Sequence, residues 1–170
     1  VLQVGTAGLE ALREIWWPVL FETAKAEGCR IFVERSQSGR KDEGLDPVNR
    51  LLKGSLGGPL VIREGAARLS VDLLKGQKTG FFLDQREHRL TLGRVSQDCR
   101  VLNAFGYTGG FSIHAGLGGA REVATLDISG PALDQADRDW ALNGLDPTQH
   151  TRLQGDAFEL MRGLEPQAWD

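Results

Sequence analysis

The second half of the chain alternates short apolar runs with helix-forming segments, and this alternation limits the folds that it can adopt. Apolar runs of strand length span residues 100–105 and 122–128, and a weaker one spans 151–154. A helical segment follows each of them: 111–117, 131–142 and 157–164. Strands that alternate with helices pair in parallel through right-handed crossovers. We therefore predict the first half of a doubly wound α/β domain.

The first part of the chain has a different organisation, which begins with a helix. Thr6 is a residue type that caps helices and Gly28 is one that ends them, so we predict a helix from Thr6 to about Glu27. Apolar residues recur along this segment at helical spacing and predict one apolar face. They are Leu9, Leu12, Ile15, Trp16, Val19, Leu20 and Ala24.

Strand patterns follow this helix. Residues 30–35 alternate like a strand, and residues 60–63 and 68–74 form two further strand patterns joined by a short turn. A helix, a strand and a hairpin in this order predict a small α+β unit. We therefore predict a small α+β domain over residues 1–75 and the beginning of an α/β domain over residues 76–170.

Composition excludes several classes of protein. Apolar residues make up 41% of the chain, which argues against disorder. No apolar run approaches the roughly 20 residues that span a bilayer. Residues 1–10 lack the basic start and apolar stretch of a signal peptide. From these features we expect a cytoplasmic protein with no membrane association.

The two cysteines, Cys29 and Cys99, are far apart and have no metal-ligand spacing. We expect both to be reduced and buried as small side chains, and we predict no metal site.

Charge is distributed unevenly along the chain. The net charge of −3 argues against a nucleic-acid binder. However, residues 29–95 contain 13 basic and 8 acidic side chains, whereas residues 96–170 contain 5 basic and 11 acidic ones. A basic middle segment can face phosphates, but on charge alone an ordinary solvated surface explains the distribution better.

The segment Val-Leu-Asn-Ala-Phe-Gly-Tyr-Thr-Gly-Gly-Phe (101–111) carries the main signal for a ligand site. A buried strand ends near Phe105, a glycine-rich turn follows, and a helix begins near Gly110. In open α/β sheets this place is the ligand crevice at the carboxyl ends of the strands. Glycines let a ligand approach the backbone, and the helix N-terminus offers free N–H groups.

Two acidic residues follow the next two strands. Asp127 ends the second strand, where a carboxylate can accept hydrogen bonds from both ribose hydroxyls of a nucleoside. Asp156 follows the third strand and can accept from an adenine amino group, while Phe158 can pack on the ring. Together with the glycine-rich turn, these residues predict a cofactor that contains a nucleoside.

The type of turn narrows the choice of cofactor. The G-x-G-x-x-G pattern of dinucleotide sites is absent, and so is the P-loop pattern, since the chain contains no Gly-Lys pair. A cofactor that joins a nucleoside to an amino-acid tail has no pyrophosphate and less need of that tight turn. S-adenosylmethionine is such a molecule, and Asn103 at the strand end can hold its amino-acid part.

A second segment, residues 76–89, combines two aromatic side chains with several polar groups. One interpretation is structural: a turn is followed by a helix that Asp84 caps and that runs to about Val95. The other is functional, and it places Gln85 and Arg86 in the cleft beside the cofactor tail. The pattern alone does not choose between them.

These two segments together resemble a known family. Gly-Gln-Lys-Thr-Gly-Phe-Phe-Leu-Asp-Gln-Arg (76–86), followed by the glycine-rich segment 101–111, is similar to the bacterial large-subunit ribosomal RNA methyltransferases of the PUA-fused type. These include cytosine carbon-5 methyltransferases. Shorter matches follow in the expected order: 119–120, 127–129, 143–144 and 155–158. The resemblance covers nearly all of the chain and is strongest over residues 76–129.

The resemblance implies the fold and the activity. The fold is α/β, with part of a Rossmann-like class I S-adenosylmethionine-dependent methyltransferase domain preceded by a small α+β domain. The activity is methylation of ribosomal RNA, with cytosine carbon 5 of large-subunit RNA as the target. An N-terminal PUA domain is expected to be missing from this chain.

The resemblance also implies roles for individual residues. On the methionine side of the cofactor it places Asn103, Phe105, Tyr107, Thr108 and Gly109. It assigns Asp127 to the ribose, and Asp156 and Phe158 to the adenine. It also counts Gly110, Ile128 and Ala157 among the cofactor-binding residues. It places Phe82, Gln85 and Arg86 near the methionine tail or the target base. The segment Ser129-Gly130-Pro131 departs from the family, which more often has a longer polar residue there.

The catalytic residues are expected beyond Asp170. Methylation of a pyrimidine at carbon 5 requires a nucleophile that adds at carbon 6, usually a cysteine thiolate. The resemblance places this cysteine, and an Asp-Pro-Pro motif, later in the chain. Cys29 and Cys99 are therefore not assigned to catalysis, and His88 is expected to be a surface histidine of a helix.

Two alternatives remain open at this point. The protein could be a methyltransferase for a small molecule, which would act without RNA. It could also be a noncatalytic RNA-binding or assembly module that keeps the fold, in which case the basic middle segment would bind RNA in a salt-dependent way without binding the methyl donor.

Overall fold

The computed structural model describes residues 1–37, 39–77, 80–165 and 167–170. They form two compact units. One consists of Val1–Leu60 and Val71–Phe81, and the other of Val61–Ser70 and Phe82–Asp170. The predicted domain limit between residues 75 and 76 stays a prediction.

The first unit begins with two helices where the sequence predicts one. Thr6 caps helix α1 (Ala7–Ala11) by accepting a hydrogen bond from the Leu9 N–H, as expected. The chain leaves the helical path at Leu12, and α2 (Arg13–Ala26) follows. The prediction of one continuous helix is therefore wrong at Leu12, and near this break the Leu9 carbonyl accepts from the Trp16 indole at 2.7 Å.

The predicted apolar face of this helical segment is not buried. No residue of α1 or α2 is buried, and Ile15 and Val19 are largely exposed. The periodicity is therefore present in the sequence, but the described residues leave this face open to solvent.

Two antiparallel strands, β1 (Phe32–Ser36) and β2 (Val48–Lys53), form the sheet of the first unit. A short 3-10 turn, Lys41–Glu43, lies between them in the segment that connects the strands. Glu34 of β1 is fully buried and bonds to the guanidinium groups of Arg13 and Arg50. A buried carboxylate requires such partners, so this ion cluster ties α2 and β2 to β1.

A hairpin of β3 (Leu60–Glu64) and β4 (Ala67–Val71) comes next, joined by a two-residue turn. The expected strands are thus confirmed with small shifts at their ends. The predicted cap of the next helix is wrong. Residues Leu83–Gln85 form a 3-10 turn, so Asp84 lies inside this turn, and α3 (Arg86–Val95) begins after Gln85 without a side-chain cap.

A parallel sheet of order β5-β6-β7 forms the centre of the second unit. Its strands are β5 (Arg100–Ala104), β6 (Glu122–Asp127) and β7 (His150–Gln154). Helices α4 (Gly110–Leu117), α5 (Gly130–Leu142) and α6 (Ala157–Arg162) follow the strands in turn. This confirms the predicted α/β class and the parallel sheet.

The core of this unit lies between the sheet and its helices. Val123, Ala124 and Leu126 of β6 are fully buried, as are Ile113 of α4 and Leu133 of α5. No helix within the described ranges is long and apolar enough to cross a membrane.

The hairpin is fastened to this core through side chains of α5. Asn143, just after α5, accepts from the Arg68 N–H at 2.8 Å and donates to the Arg68 carbonyl at 2.7 Å. Asp139 accepts from the Ser70 N–H at 3.0 Å. Side chains of α5 thus bind β4 backbone groups as a neighbouring strand would.

A buried ion cluster makes a second attachment of the hairpin. Glu64 of β3 receives two hydrogen bonds from Arg89 of α3, at 2.6 and 2.7 Å, and lies 3.0 Å from Nε2 of His114 on α4. All three side chains are almost fully buried. Because unpaired buried charges are costly, this cluster fixes the hairpin against both helices.

Candidate functional site

The turn between β5 and α4 has an unusual backbone. Phe105, Tyr107 and Gly109 have φ angles of 56°, 49° and 75°, in the left-handed region. The Gly106 N–H donates to the Leu126 carbonyl at 2.8 Å, which fastens the turn to β6. A Cβ at Gly106 would lie 2.5 Å from Cγ2 of Thr125, so only glycine fits there.

The Asp127 carboxylate lies beside this turn at the carboxyl end of β6. Its Oδ2 accepts from the Tyr107 N–H at 2.8 Å, and its Oδ1 accepts from the Ser129 N–H at 2.9 Å. These bonds hold the carboxylate in one orientation. Since each carboxylate oxygen can accept more than one hydrogen bond, both oxygens can still receive a hydroxyl group.

Large apolar side chains are exposed where the three parallel strands end. Phe105, Ile128 and Phe158 are 61%, 72% and 63% exposed, respectively. The rings of Phe105 and Phe158 lie 5.6 Å apart in an edge-to-face arrangement. Clustered exposed apolar groups beside polar ones are typical of ligand sites, and a flat aromatic ligand can pack here.

Asp156 has a structural role in addition to its predicted place at the end of the third strand. It is the N-cap of α6, and its Oδ1 accepts from the Glu159 N–H at 3.0 Å. The following residue, Ala157, is buried against the core, and Phe158 is held beside it at the surface. This cap hydrogen bond fixes the position of the Asp156 carboxylate, which lies two residues before Phe158 in the sequence.

Asn103 lies under the glycine-rich turn. Its Nδ2 donates to Ser112 Oγ at 2.9 Å. The residue also lines an open cavity of about 590 Å³ that runs along β5. Other lining residues include Leu92, Val95, Val101, Ala104 and Phe111.

The second predicted segment reaches the turn through one aromatic contact. The rings of Phe82 and Tyr107 lie 6.0 Å apart, nearly perpendicular. Gln85 is partly exposed at the start of α3, and the exposed Arg86 pairs with Glu87 at 2.8 Å. Thr108 is part of the turn, and Gly110 is the first residue of α4. Lys78 and Thr79 of the 76–86 motif lie outside the described residues.

The cysteines and two of the histidines lie away from these groups or have structural partners. The expectation that both cysteines are buried is wrong: Cys29 is exposed in the connection after α2, and Cys99 is only partly buried. Cys99 directly precedes β5, at the opposite end of that strand from the turn. His114 is bound to Glu64, and His88 is exposed on α3 as expected.

A line of buried polar groups beneath the turn was not found from the sequence. Thr125 of β6 bonds to Ser112 at 2.6 Å and to Nε2 of His150 at 2.7 Å. The signal available in the sequence was the presence of Ser112 and His114 within the otherwise apolar helix α4. In the part of the chain that the structure describes, no group of three or more His, Cys, Asp or Glu residues is arranged to hold a metal ion.

Residues 40–165 match the family described as S-adenosylmethionine-dependent methyltransferase. Among curated proteins, the ribosomal RNA large subunit methyltransferase I of Shewanella amazonensis is 40% identical over 163 residues, which are 95% of this chain and 41% of that protein. The protein of the same name from Tolumonas auensis is 43% identical over 136 residues, or 79% of this chain and 34% of that protein. The chain thus spans less than half the length of these relatives.

Solved structures show the same fold. The protein SMU.776, solved as a complex with SAH, has a TM-score of 0.74 and 25% identity, covering 89% of this chain and 38% of that one. The S-adenosylmethionine-dependent methyltransferase from Agrobacterium tumefaciens has a TM-score of 0.64 and 23% identity, covering 76% and 41%. Since the family match extends over most of the chain, this protein belongs to the family of S-adenosylmethionine-dependent methyltransferases.

Proposed function

We propose that this chain holds the donor site of an enzyme that transfers a methyl group from S-adenosylmethionine to large-subunit ribosomal RNA, with cytosine carbon 5 as the target. One observation supports the donor site above all. A fixed carboxylate, a left-handed glycine-rich turn and exposed aromatic rings meet at the carboxyl ends of β5, β6 and β7. The names of the relatives support ribosomal RNA as the substrate.

The geometry suggests how the nucleoside part would bind. Both oxygens of Asp127 would accept from the ribose hydroxyls, because each already holds one backbone N–H and keeps a further acceptor position. Ile128 and Phe158 would pack on the adenine, and the buried Ala157 would anchor the start of α6. Phe105, which the resemblance places on the methionine side, contacts the Phe158 ring and would therefore pack on the adenine with it. Asp156 would accept from the adenine amino group with the oxygen that the helix cap leaves available.

The methionine part would extend along the turn. Asn103, Tyr107, Thr108, Gly109 and Gly110 would line it, with the backbone of the turn close to the amino-acid tail. Phe82, Gln85 and Arg86 would lie near this tail or the target base.

When bound, the donor supplies an electrophilic methyl group on sulfur, and the residues described here bind and orient it. The nucleophile for carbon-5 chemistry is not assigned to either cysteine.

For the domain organisation, we propose a central α+β domain over residues 1–75 and the first part of the methyltransferase domain over residues 76–170. A ribosomal RNA substrate would place the enzyme in the cytoplasm.

Calorimetric titration with S-adenosylhomocysteine tests the donor site, with NADH as the control ligand. We expect binding of the first and not the second. Asp127→Ala should weaken S-adenosylhomocysteine binding by about 1–3 kcal/mol, because buried hydrogen bonds to the ribose are lost. A folded Asp127→Ala protein with unchanged affinity would contradict the ribose role.

Transfer of a labelled methyl group by the full-length enzyme tests the substrate, because the catalytic nucleophile is not assigned to the residues of this chain. We expect incorporation into deproteinised large-subunit ribosomal RNA and none into small-subunit RNA, and nuclease digestion with mass spectrometry should then identify 5-methylcytidine. Transfer without RNA would indicate a small-molecule methyltransferase. RNA binding without any donor binding would indicate an assembly module.

A further inference from the structure

A continuous line of hydrogen bonds runs from Asn103 beneath the turn to the outer face of α5. Asn103 bonds to Ser112, Ser112 to Thr125, and Thr125 to Nε2 of His150, at 2.9, 2.6 and 2.7 Å. Nδ1 of His150 lies 3.1 Å from an Asp137 oxygen. The line therefore joins a side chain of the donor site to a surface carboxylate through three intermediate groups.

The carboxylate at one end sets the direction of every bond in this line. An ionised carboxylate only accepts, so Nδ1 of His150 carries the proton and, in the neutral ring, Nε2 accepts. The Thr125 hydroxyl must then donate to Nε2 and accept from the Ser112 hydroxyl. The Ser112 oxygen in turn accepts from the Asn103 amide, which must present its Nδ2 to Ser112.

Burial keeps water away from these groups, so their hydrogen bonds keep the direction that Asp137 sets. Ser112 and Thr125 are completely buried, and the His150 side chain is 3% exposed. Trp140 of α5 stacks on the imidazole at 4.7 Å. The charged groups around His150 are Asp137 and, bound to that same carboxylate, Arg152. Burial lowers the pKa of His150, and Asp137 only partly offsets this, so the ring stays neutral at pH 7.

The other end of the line is open. Among the described residues no group donates to Oδ1 of Asn103, and Asn103 lines the cavity along β5. An amide is nearly symmetric in shape, and it can offer either a donor or an acceptor to a ligand. With Nδ2 committed to Ser112, the atom left for a ligand is the acceptor Oδ1.

We infer that Asp137 and His150 are positioning residues, which act through Thr125 and Ser112 to hold the Asn103 amide with Oδ1 directed to the ammonium group of the donor's amino-acid tail. This inference rests on the proposed function. It adds that binding of the amino-acid tail, unlike binding of the nucleoside, depends on the orientation of the Asn103 amide. A ligand with the same nucleoside and no amino-acid tail is indifferent to the orientation of Asn103.

The test compares two ligands and two matched variants. Thr125→Val removes the hydroxyl and keeps the shape of the side chain, whereas Thr125→Ser keeps the hydroxyl. Binding of S-adenosylhomocysteine and of 5′-methylthioadenosine, which lacks the tail, is measured by calorimetry. We expect Thr125→Val to weaken S-adenosylhomocysteine binding roughly three- to ten-fold and to leave 5′-methylthioadenosine binding unchanged. Thr125→Ser should bind both ligands as the unmodified protein does.

A second pair of variants tests the surface end of the line without changing the core. Asp137→Ala removes the group that fixes the His150 tautomer. Asp134→Ala removes the neighbouring carboxylate, which, among the described residues, bonds to Arg152 and not to His150. We expect a loss of S-adenosylhomocysteine affinity, with no change for 5′-methylthioadenosine, in Asp137→Ala only.

Equal weakening of both ligands in Thr125→Val would show a general structural effect and overturn the inference, as would unchanged binding of S-adenosylhomocysteine in both Thr125→Val and Asp137→Ala. Failure of the proposed function looks different: the unmodified protein would then bind neither ligand, and the inference would fall with it.

Discussion

Phe105 and Tyr107 have backbone angles that residues other than glycine rarely adopt. Such a conformation costs on the order of 1–3 kcal/mol and persists where surrounding contacts impose it. Here the Gly106 N–H bonds to Leu126, and the Tyr107 N–H bonds to Asp127. The strain is therefore fixed by β6, and its place at the strand ends supports the assignment of this turn to ligand binding.

Substitution of Gly109 tests how rigidly this turn is held. Gly144 serves as the comparison, because its substitution changes the backbone strain without adding a steric clash. Both Gly109 and Gly144 have positive φ angles, of 75° and 68°. A Cβ at Gly109 would lie 2.7 Å from Cβ of Ala136, whereas one at Gly144 would meet nothing within 4 Å. We expect Gly144→Ala to cost about 1–2 kcal/mol of unfolding free energy. Gly109→Ala should cost about 2–5 kcal/mol, because a steric clash is added.

Urea denaturation of the two glycine variants measures this difference. Equal losses would mean that α4 and α5 can move apart freely, and that the turn is less rigidly held than its contacts indicate.

At the scale of elements, the α/β half of the fold could be predicted because its signals are local. The buried run of β6 and the helices on either side of it are readable from composition and length. Strand β2 could not be predicted, since it is mostly exposed and, among the described residues, pairs with β1 alone. Its pairing depends on a register that no periodicity in residues 48–53 specifies.

The geometry of the candidate site was predictable to a similar extent. The position of Asp127 beside the turn could be predicted because acids at successive strand ends fall on one edge of a parallel sheet. The line from Asn103 to Asp137 could not, since Ser112, Thr125 and His150 are 13 and 25 residues apart. Their contact depends on the register of the strands and on the packing of α4 against the sheet. Neither can be read from the spacing of these residues in the sequence.

The attachment of β4 to α5 can be tested at Asn143. Asn143→Ala removes the acceptor for the Arg68 N–H and the donor to the Arg68 carbonyl. We expect a loss of about 1–3 kcal/mol in unfolding free energy, since both backbone groups lose their partner. Hydrogen exchange at Arg68 should become faster. Asn143→Asp keeps the acceptor and should retain more of the protection, and equal exchange in all three proteins would refute this attachment.

The buried His114 predicts how stability depends on pH. Burial lowers its pKa below the ordinary value of 6.5, and Glu64 offsets this only in part. The unfolded chain therefore binds a proton near pH 6.5 that the folded chain does not, so stability falls as pH falls from about 6.5 towards the folded pKa. Burial raises the pKa of Glu64, but the hydrogen bonds and charge of Arg89 outweigh it, so this carboxylate stays ionised throughout that range.

Unfolding free energies at pH 7.5 and 5.5 measure this effect. His114→Gln should reduce the difference between the two pH values, and the part that remains should include His150, whose pKa burial also lowers. His88→Gln is the control, because His88 is exposed on α3. A difference that persists unchanged in His114→Gln would assign the pH dependence to other groups.

At the scale of the whole molecule, the second compact unit is discontinuous in sequence. Residues 61–70 belong to it, although they precede part of the first unit in the chain. Glu64, Arg68 and Ser70 supply the partners of buried or backbone-binding groups on α3, α4 and α5. A chain that begins at the predicted domain limit, residue 76, would lack all of them.

Two truncated chains, residues 61–170 and 76–170, therefore make a direct comparison. Removal of Glu64 takes away the carboxylate that the buried Arg89 binds at 2.6 and 2.7 Å, and loss of one member of a buried ion pair costs about 3–5 kcal/mol. We expect chain 76–170 to be less stable than chain 61–170 by at least this amount in urea denaturation. Chain 61–170 with Glu64→Gln is the control and should fall between the two, since it keeps the backbone contacts to Asn143 and Asp139. If chains 61–170 and 76–170 unfold at the same urea concentration, the hairpin is dispensable and the limit at residue 76 marks an independent folding unit.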